Sequence, residues 1–509
     1  MSTNRLGGLD GAFLAMESPT AHLHILGVLI LDADAEGRRV DLNRVRTMVE
    51  DRIHLVPPFR QRLVEVPFGL QHPMLVDDPD FDLDYHIRRA SLPKPGGRKE
   101  LSEYVAEQAS LPLDRTRPLW EFHVVEGLER SRTAVVVKIH HGIIDGVSAS
   151  EILAVFLDPE PHPPAPLLPL FGHPRTRRRD GTADAGHAVP PSDDPREPGW
   201  RPTPLPGELE QLRELLGTLP GQVEGVARAF SHSFRAARRF LGSRGGPESS
   251  PMPVRLDVPK TSINRAITPH RRVALAELPL AEIDEVREAL GGTVNDVVMA
   301  VVSGGMRNFF AHRGEMPERS LVALIPVSQR TELEQGTLGN RISALLVDLS
   351  DDLPSARERL ERVRAEMALA KEQHRSLDQG ILYQFAEAAT PAVLARVSRL
   401  MTNFKVFDHL QPPCNLVVSN VPGPGIPLYV AGARLLAAYP VGPIMEGTGL
   451  NITVFSHEGV LFTGIQGDWD LVPDIEEVAT GLRAALAELL VVARRARRPV
   501  PWWHSGVPA

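Results

Sequence analysis

Two adjacent histidines, with an aspartate four residues after the second, stand in the stretch KIHHGIIDG at 138–146. An imidazole titrates near neutral pH. Such a side chain can take the proton from a weakly acidic hydroxyl as its oxygen attacks, and then pass that proton on. The same residues invite a rival reading, a metal site of His140, His141 and Asp145. The flanking elements decide between the two. Residues 133–140 are β-branched and mostly apolar and predict a buried strand. Residues 147–156 predict a helix, with Ser148 and Glu151 spaced for a capping box at its start. The histidines therefore sit where a strand ends and the chain turns, and two glycines, Gly142 and Gly146, ease the turn. Side chains alternate along a strand, so His140 and His141 point to opposite faces, one to a cleft and one to the packing. Neighbours on extended backbone do not readily share one ion, and the reading is acid–base chemistry with no metal.

At 509 residues the chain is too long for one ordinary core, and two domains are expected. Its hydrophobic content of 42% with 24% charged residues is that of an ordinary globular protein, and the net charge of −8 gives no reason to expect nucleic acid. Cys414 is the single cysteine, which leaves no disulfide framework and suits a reducing cytoplasm. The first residues lack the apolar core of a signal peptide, and no run approaches the roughly 18 apolar residues of a spanning helix. The expectation is a protein that does not cross a membrane but can rest on one.

Residues 9–16 predict a short helix stopped at Ser18-Pro19, and 22–31 a strand. Glu17 falls between them and by itself reads as a helix-end carboxylate. Five aspartates from Asp77 to Asp84 suggest calcium. The stretch lacks the glycine and closing glutamate of an EF-hand loop, so it reads as a solvated acidic loop before His86. Residues 101–110 predict a helix, and Trp120 reads first as a core aromatic. A first domain spans 1–158. From 159 to 206, 14 of 48 residues are proline, too little apolar surface to offset ordering, and the segment reads as a flexible linker. Within 207–250, apolar residues from Leu209 to Phe234 recur at helical spacing with a kink at Pro220. That amphipathic stretch either packs across the domains or rests on a membrane or lipid droplet.

The second domain spans 251–493. Thr293 and Asp296 suit a cap for a helix over 297–306. Asn295, between them, lies where free backbone donors and partial positive charge suit a developing oxyanion. Residues 356–371 and 384–401 predict helices. A strand over 415–421 runs into the turn Pro422-Gly423-Pro424, with the Ser419 hydroxyl able to donate to a substrate. Residues 450–455 and 460–465 predict a hairpin, and 475–492 a last helix. The tail, 494–509, mixes arginines with Trp502 and Trp503, which suits a lipid interface or a disordered end.

HHGIIDG resembles the HHxxxDG motif of the CoA-dependent acyltransferase superfamily, and the chain as a whole is similar to the bacterial wax ester synthase/diacylglycerol acyltransferases. The likeness is carried in order by LDGAFLAMESPTAHLHILG at 9–27, PPFRQRL at 57–63, VDDPDFDLDYH at 76–86, Pro118-Leu119-Trp120, Asn295-Asp296 and SNVPGP at 419–424. It covers nearly the whole chain apart from the proline-rich middle; Arg265 departs from the family's usual loop residue. The resemblance implies an α/β fold of two chloramphenicol-acetyltransferase-like domains, each a mixed sheet flanked by helices, with the active-site channel between them. It also implies His141 as general base, His140 as its motif partner, Asp145 as a structural carboxylate paired with an arginine, and Gly146 as part of the motif. Asn295 and Ser419 become candidates for the oxyanion, and Glu17, Trp120, Ser419 and Gly423 for the substrate site.

The implied reaction moves the acyl group of a long-chain acyl-CoA, the donor substrate, to the hydroxyl of diacylglycerol or of a long-chain alcohol. The thioester is already activated, so no covalent intermediate and no cofactor are expected. The basic linker and tail look like those of actinobacterial members and favour triacylglycerol over wax ester as product. Cytoplasmic residence with peripheral contact to the inner membrane face or a lipid droplet follows. A condensation-type acyltransferase using carrier-bound acyl groups shares the motif, but no carrier or adenylation module is present. A non-catalytic lipid-binding or droplet-coating protein would not need the intact motif, and a serine hydrolase would need a G-x-S-x-G elbow that is missing.

Overall fold

The computed structural model describes residues 5–6, 8–34, 36–66, 72–143, 152, 154–161, 258–328, 342–376 and 391–497. Asp145, Gly146, nearly all of the linker, the amphipathic stretch at 207–250 and the tail beyond 497 lie outside them. Helices α1 (Gly8–Met16), α2 (Leu42–Arg52), α3 (Leu83–His86) and α4 (Arg98–Ser110) accompany strands β1 (His24–Leu31), β2 (Gln61–Val64), β3 (Met74–Asp77), β4 (Ile87–Ser91), β5 (Trp120–Glu126) and β6 (Thr133–His140). The later segment supplies β7 (Arg271–Pro279), α5 (Leu280–Leu290), α6 (Val294–Arg313), β8 (Val322–Ser328), β9 (Ile342–Asp348), α7 (Ala356–Ser376) and α8 (Pro391–Asn403). It ends with β10 (Leu416–Val421), β11 (Tyr429–Val430), β12 (Ala433–Val441), β13 (Leu450–His457), β14 (Val460–Asp468) and α9 (Ile475–Ala496).

Two six-stranded mixed sheets result, ordered β11-β12-β1-β6-β5-β4 and β7-β14-β13-β10-β8-β9. A cut of the chain near residue 251 would leave β11 and β12 with the second unit, yet β12 runs antiparallel to β1 in the first sheet, from Leu26 opposite Val441 to Leu31 opposite Leu435. All eight residues of β6 are buried, as a β-branched strand covered on both faces must be. One face, Val135, Val137 and Ile139, joins Phe59, Trp120 and Phe122. The other, Ala134 and Val136, meets Leu101 and Val105 of α4 and Val273, Leu275 and Phe462 of the second sheet.

In the second half α6 is apolar nearly all round and lies in the main core with α9 and the sheet. Its start is a capping box: Asp296 N–H donates to Thr293 Oγ1 at 3.2 Å, and Thr293 N–H to Asp296 Oδ2 at 2.8 Å. The hairpin β13–β14 turns on Glu458 and Gly459, both at positive φ, as a two-residue primed turn requires. The last helix runs past the expected boundary at 493. Arg494 pairs with Glu285 at 2.9 Å and Arg497 with Glu288 at 2.7 Å, so the first arginines of the expected tail are tied to α5. Among the described residues no single helix is long and apolar enough to cross a membrane.

The sheets touch where β14 passes β12. A Cβ on Gly464 would lie 1.9 Å from Pro440 O, whereas one on Gly425 would meet nothing within 4 Å. Gly464→Ala is therefore expected to cost about 1–3 kcal/mol in a urea-unfolding measurement, against at most about 0.5 kcal/mol for Gly425→Ala.

Candidate active site

The turn after β6 is held from both sides of the first sheet. His140 N–H donates to Leu119 O and His141 N–H to Leu23 O, each at 3.0 Å, and His24 stands directly opposite His140 in the β1–β6 register. Leu23 takes a left-handed conformation (φ 50°), a strained choice for a branched residue, to present that carbonyl. The chain then makes a 3-10 turn, His141–Ile143, tight against α1. A Cβ on Gly142 would come within 2.9 Å of Leu14 and 3.0 Å of Asp10 O, so this position leaves no room for a side chain.

His140 is buried and its Nδ1 accepts from Gly142 N–H at 3.0 Å. A neutral ring therefore carries its proton on Nε2, which lies 3.7 Å from Glu17 Oε2. Both atoms are enclosed without a hydrogen-bond partner among the described residues. Burial lowers the His140 pKa to about 3, and the nearby Arg115, His141 and His22 push the same way. Burial raises Glu17 to about 7 against the opposing pull of Arg115, whose guanidinium is 3.6 Å away. The pair is thus uncharged just below neutrality.

His141 is half-buried, its ring tilted by 34° against Phe13 with centroids 4.4 Å apart. Burial lowers its pKa below the usual 6.5, and its own backbone carbonyl pulls weakly the other way. Nδ1 is enclosed and has no hydrogen bond to another described residue. A neutral imidazole can accept a proton. His140 lies on the packing side, fully buried, and His141 is the more exposed of the two.

The surrounding shell was not foreseen. His22 and His24 stack 5.7 Å apart and face the end of α4, with Nε2 atoms near Ser110 O and Ala109 O at 3.0 and 3.1 Å. Lys138 is buried with Nζ donating to Leu111 O at 2.6 Å, and burial lowers its pKa to about 8. Arg271 of β7 reaches across to Thr20 O, and Glu446 accepts from Thr20 Oγ1 at 2.6 Å and from Thr402 Oγ1 at 3.0 Å. The segment carrying Glu17 is thus gripped by the second half.

Ser419 and Gly423 lie near the end of β10, and Asn295, at the start of α6, reaches the same strand through Asn420. Asn420 Nδ2 donates to Asn295 Oδ1 at 3.2 Å. Gly423 N–H donates to Ser456 Oγ at 2.9 Å, and a Cβ there would lie 2.0 Å from Ser456 O. Among the described residues, no hydrogen bond or ring contact joins this group to either histidine. Of the two readings of Trp120, core aromatic and substrate-site wall, its surroundings match the first. It is fully buried, stacked on Phe59 and His86 at 4.6 and 4.4 Å, with Nε1 donating to Phe59 O at 2.8 Å. A ring enclosed on all sides belongs to the core and not to a channel wall. Among the described residues no three His, Cys, Asp or Glu are grouped to hold a metal.

This arrangement of two mixed sheets has close structural counterparts. The wax ester synthase/diacylglycerol acyltransferase of Marinobacter aquaeolei VT8 superposes with a TM-score of 0.64 at 27% identity, covering 96% of this chain and 100% of that one. The starter condensation domain of rhizomide synthetase shares the fold, with a TM-score of 0.50 at 11% identity over 98% and 96% of the two chains. The class is a two-domain acyltransferase. Residues 6–298 match the wax ester synthase/diacylglycerol acyltransferase catalytic domain, and 338–490 the WS/DGAT C-terminal domain. Two Mycobacterium tuberculosis H37Rv proteins provisionally named diacylglycerol O-acyltransferases are similar throughout. Rv1760 is 32% identical over 96% of this chain and 90% of its own length, and Rv0221 is 33% identical over 95% of each. The chain belongs to the wax ester synthase/diacylglycerol acyltransferase family, and its reaction is an acyl transfer.

The raised Glu17 pKa carries a stability consequence. The folded protein keeps a proton that the unfolded chain releases near 4.5, so stability falls as pH rises from there through about 7. Glu17→Gln removes that ionisation. The variant should match wild type near about pH 4 and exceed it by up to about 3 kcal/mol near pH 8 in denaturation midpoints taken across pH.

Proposed function

We propose that this protein esterifies diacylglycerol with the acyl group of a long-chain acyl-CoA, using His141 as the general base. The observation that carries the reading is His141 itself: a half-buried imidazole, held neutral by burial, in the turn directly after β6. The names of the Mycobacterium tuberculosis relatives support diacylglycerol as acceptor. The Marinobacter relative's name also supports long-chain alcohols, which present the same hydroxyl chemistry.

The hydroxyl proton moves to His141 Nε2 as the oxygen attacks the thioester carbonyl. The tetrahedral intermediate then collapses, the carbon–sulfur bond breaks, and the departing CoA thiolate takes the proton from the imidazolium. No acyl-enzyme is needed, because the thioester already supplies the activated carbonyl. Asn295 and Ser419 are the proposed donors to the oxyanion; with Asn295 Oδ1 engaged by Asn420, its amide N–H₂ remains to donate. Asp145 is proposed to hold the turn. Glu17, held protonated by burial up to about pH 7, stands beside neutral His140, and Gly423 lets the end of β10 approach β13 closely. Acyl-CoA serves as donor substrate with no further cofactor, and the lipid acceptor is met by peripheral contact with a membrane or droplet on the cytoplasmic side.

Purified protein given palmitoyl-CoA with diolein or hexadecanol should form the corresponding ester. His141→Ala should lower that rate by about 10²- to 10⁴-fold while the circular dichroism spectrum is unchanged. CoA release without ester from either alcohol would sink the proposal. Because burial holds His141 neutral below the ordinary histidine range, the acid limb of kcat/KM against pH should inflect below 6.5, and an inflection above it would remove His141 as the base.

A further inference from the structure

The inner face of helix α8 holds the molecule through two polar contacts, Ser398 Oγ donating to Met16 O at 2.9 Å and Thr402 Oγ1 to Glu446 at 3.0 Å, beside half-buried Leu394, Ala395 and Met401. Its outward stripe is apolar, with Val393 48%, Val397 45%, Leu400 53% and Phe404 71% exposed. At 100° per residue these four fall on one line, and Phe404 N–H still bonds Leu400 O at 3.0 Å, which keeps it on that line. Surface helices of water-soluble domains turn such a stripe to the core. Here no residue of the helix is buried.

The charge beside the stripe is of one sign. Arg396 and Arg399 lie along one flank, both exposed, and Lys405 follows the helix; Pro391–Asn403 contains no carboxylate. Among the described residues neither arginine has an ion-pair partner. An apolar line with exposed arginines along its edge is the pattern of a helix lying in an anionic lipid interface, its side chains at the acyl boundary and its cations at the headgroups. A protein partner of ordinary composition would explain the apolar line but not the absence of any carboxylate.

The position of the helix gives the contact a use. Through Ser398 it holds the end of α1, one residue before Glu17, and through Glu446 it shares an acceptor with Thr20. We infer that α8 is the surface by which the protein docks on an anionic phospholipid membrane, setting the first-half end of the site against the layer that dissolves its acceptor. The inference rests on the lipid-acceptor reading for its purpose and on the α8 face for its location.

Vesicle flotation tests it, using the full chain with phosphatidylcholine vesicles and with vesicles in which about a third of the lipid is phosphatidylglycerol. Wild type should float with the anionic vesicles and only weakly with the neutral ones. Leu400→Asp/Phe404→Ser should lower binding by about tenfold or more, and Arg396→Gln/Arg399→Gln should abolish the preference for anionic lipid. Both variants should esterify diolein at the wild-type rate in neutral detergent micelles and lose rate only on vesicle-borne diolein. Wild type that forms ester in micelles yet does not float overturns the docking inference and leaves acyl transfer standing. Flotation with no ester in either assay does the reverse. Variants that float like wild type overturn it, as does a wild-type dimer in sedimentation that Leu400→Asp/Phe404→Ser splits, since the face is then a contact between copies.

Discussion

Strand β1 is hydrogen-bonded along both edges, to β6 on one side and to β12 on the other, and the position of every residue in the first-half site follows from that double pairing. The β6 edge sets His24 against His140 and brings Leu23 O to His141 N–H. The β12 edge binds the first sheet to a strand from the far end of the chain, whose neighbour β13 lies in the middle of the second sheet. Pairing of such distant segments is entropically expensive to reach and forms late. Assembly of the site is therefore inseparable from assembly of the whole molecule.

That seam also explains the electrostatics. A histidine and a glutamate 3.7 Å apart would attract as ions, yet burial drives His140 down to about 3 and Glu17 up to about 7. Removing two charges from water costs more than their attraction returns when neither is further hydrogen-bonded. Arg115 does not reverse this, since it is itself partly exposed and shared with Glu65 at 3.2 Å. The result is a neutral His140–Glu17 pair beside His141 just below neutral pH.

What could be read from the sequence was local. The end of β6 at His140, the cap at Thr293 and Asp296, the β13–β14 turn and the helices at 101–110 and 475–492 are each specified within a few residues by alternation, capping or turn chemistry. What escaped depends on tertiary register. Nothing near His24 signals that it will face His140, and nothing near Ala433 signals that β12 will cross to the first sheet. Phe13 and Arg115 are ordinary until α1 and the loop after α4 fold onto the turn. The arginines at 494 and 497 read as a free basic end because Glu285 and Glu288, their partners, lie about two hundred residues away in a helix whose packing is decided only by the core. Trp120, read first as a core aromatic and placed by the resemblance at the substrate site, is enclosed by Phe59 and His86 in the core.

In the proposed reaction the two halves would contribute in parallel ways. β6 and β10 are each interior strands of their sheets, and each offers its carboxyl end, where the chain leaves regular pairing and side chains become free to meet a ligand. The first supplies an imidazole. The second supplies Ser419 and Asn420, with Asn295 brought alongside by the start of α6. There Asp296 closes the helix through Oδ2 and its own N–H, while the Asn295 oxygen, one residue earlier, is engaged by Asn420. A proton acceptor from one sheet and amide or hydroxyl donors from the other complement each other only when both sheets are in place. The double pairing of β1 is the constraint that keeps them there.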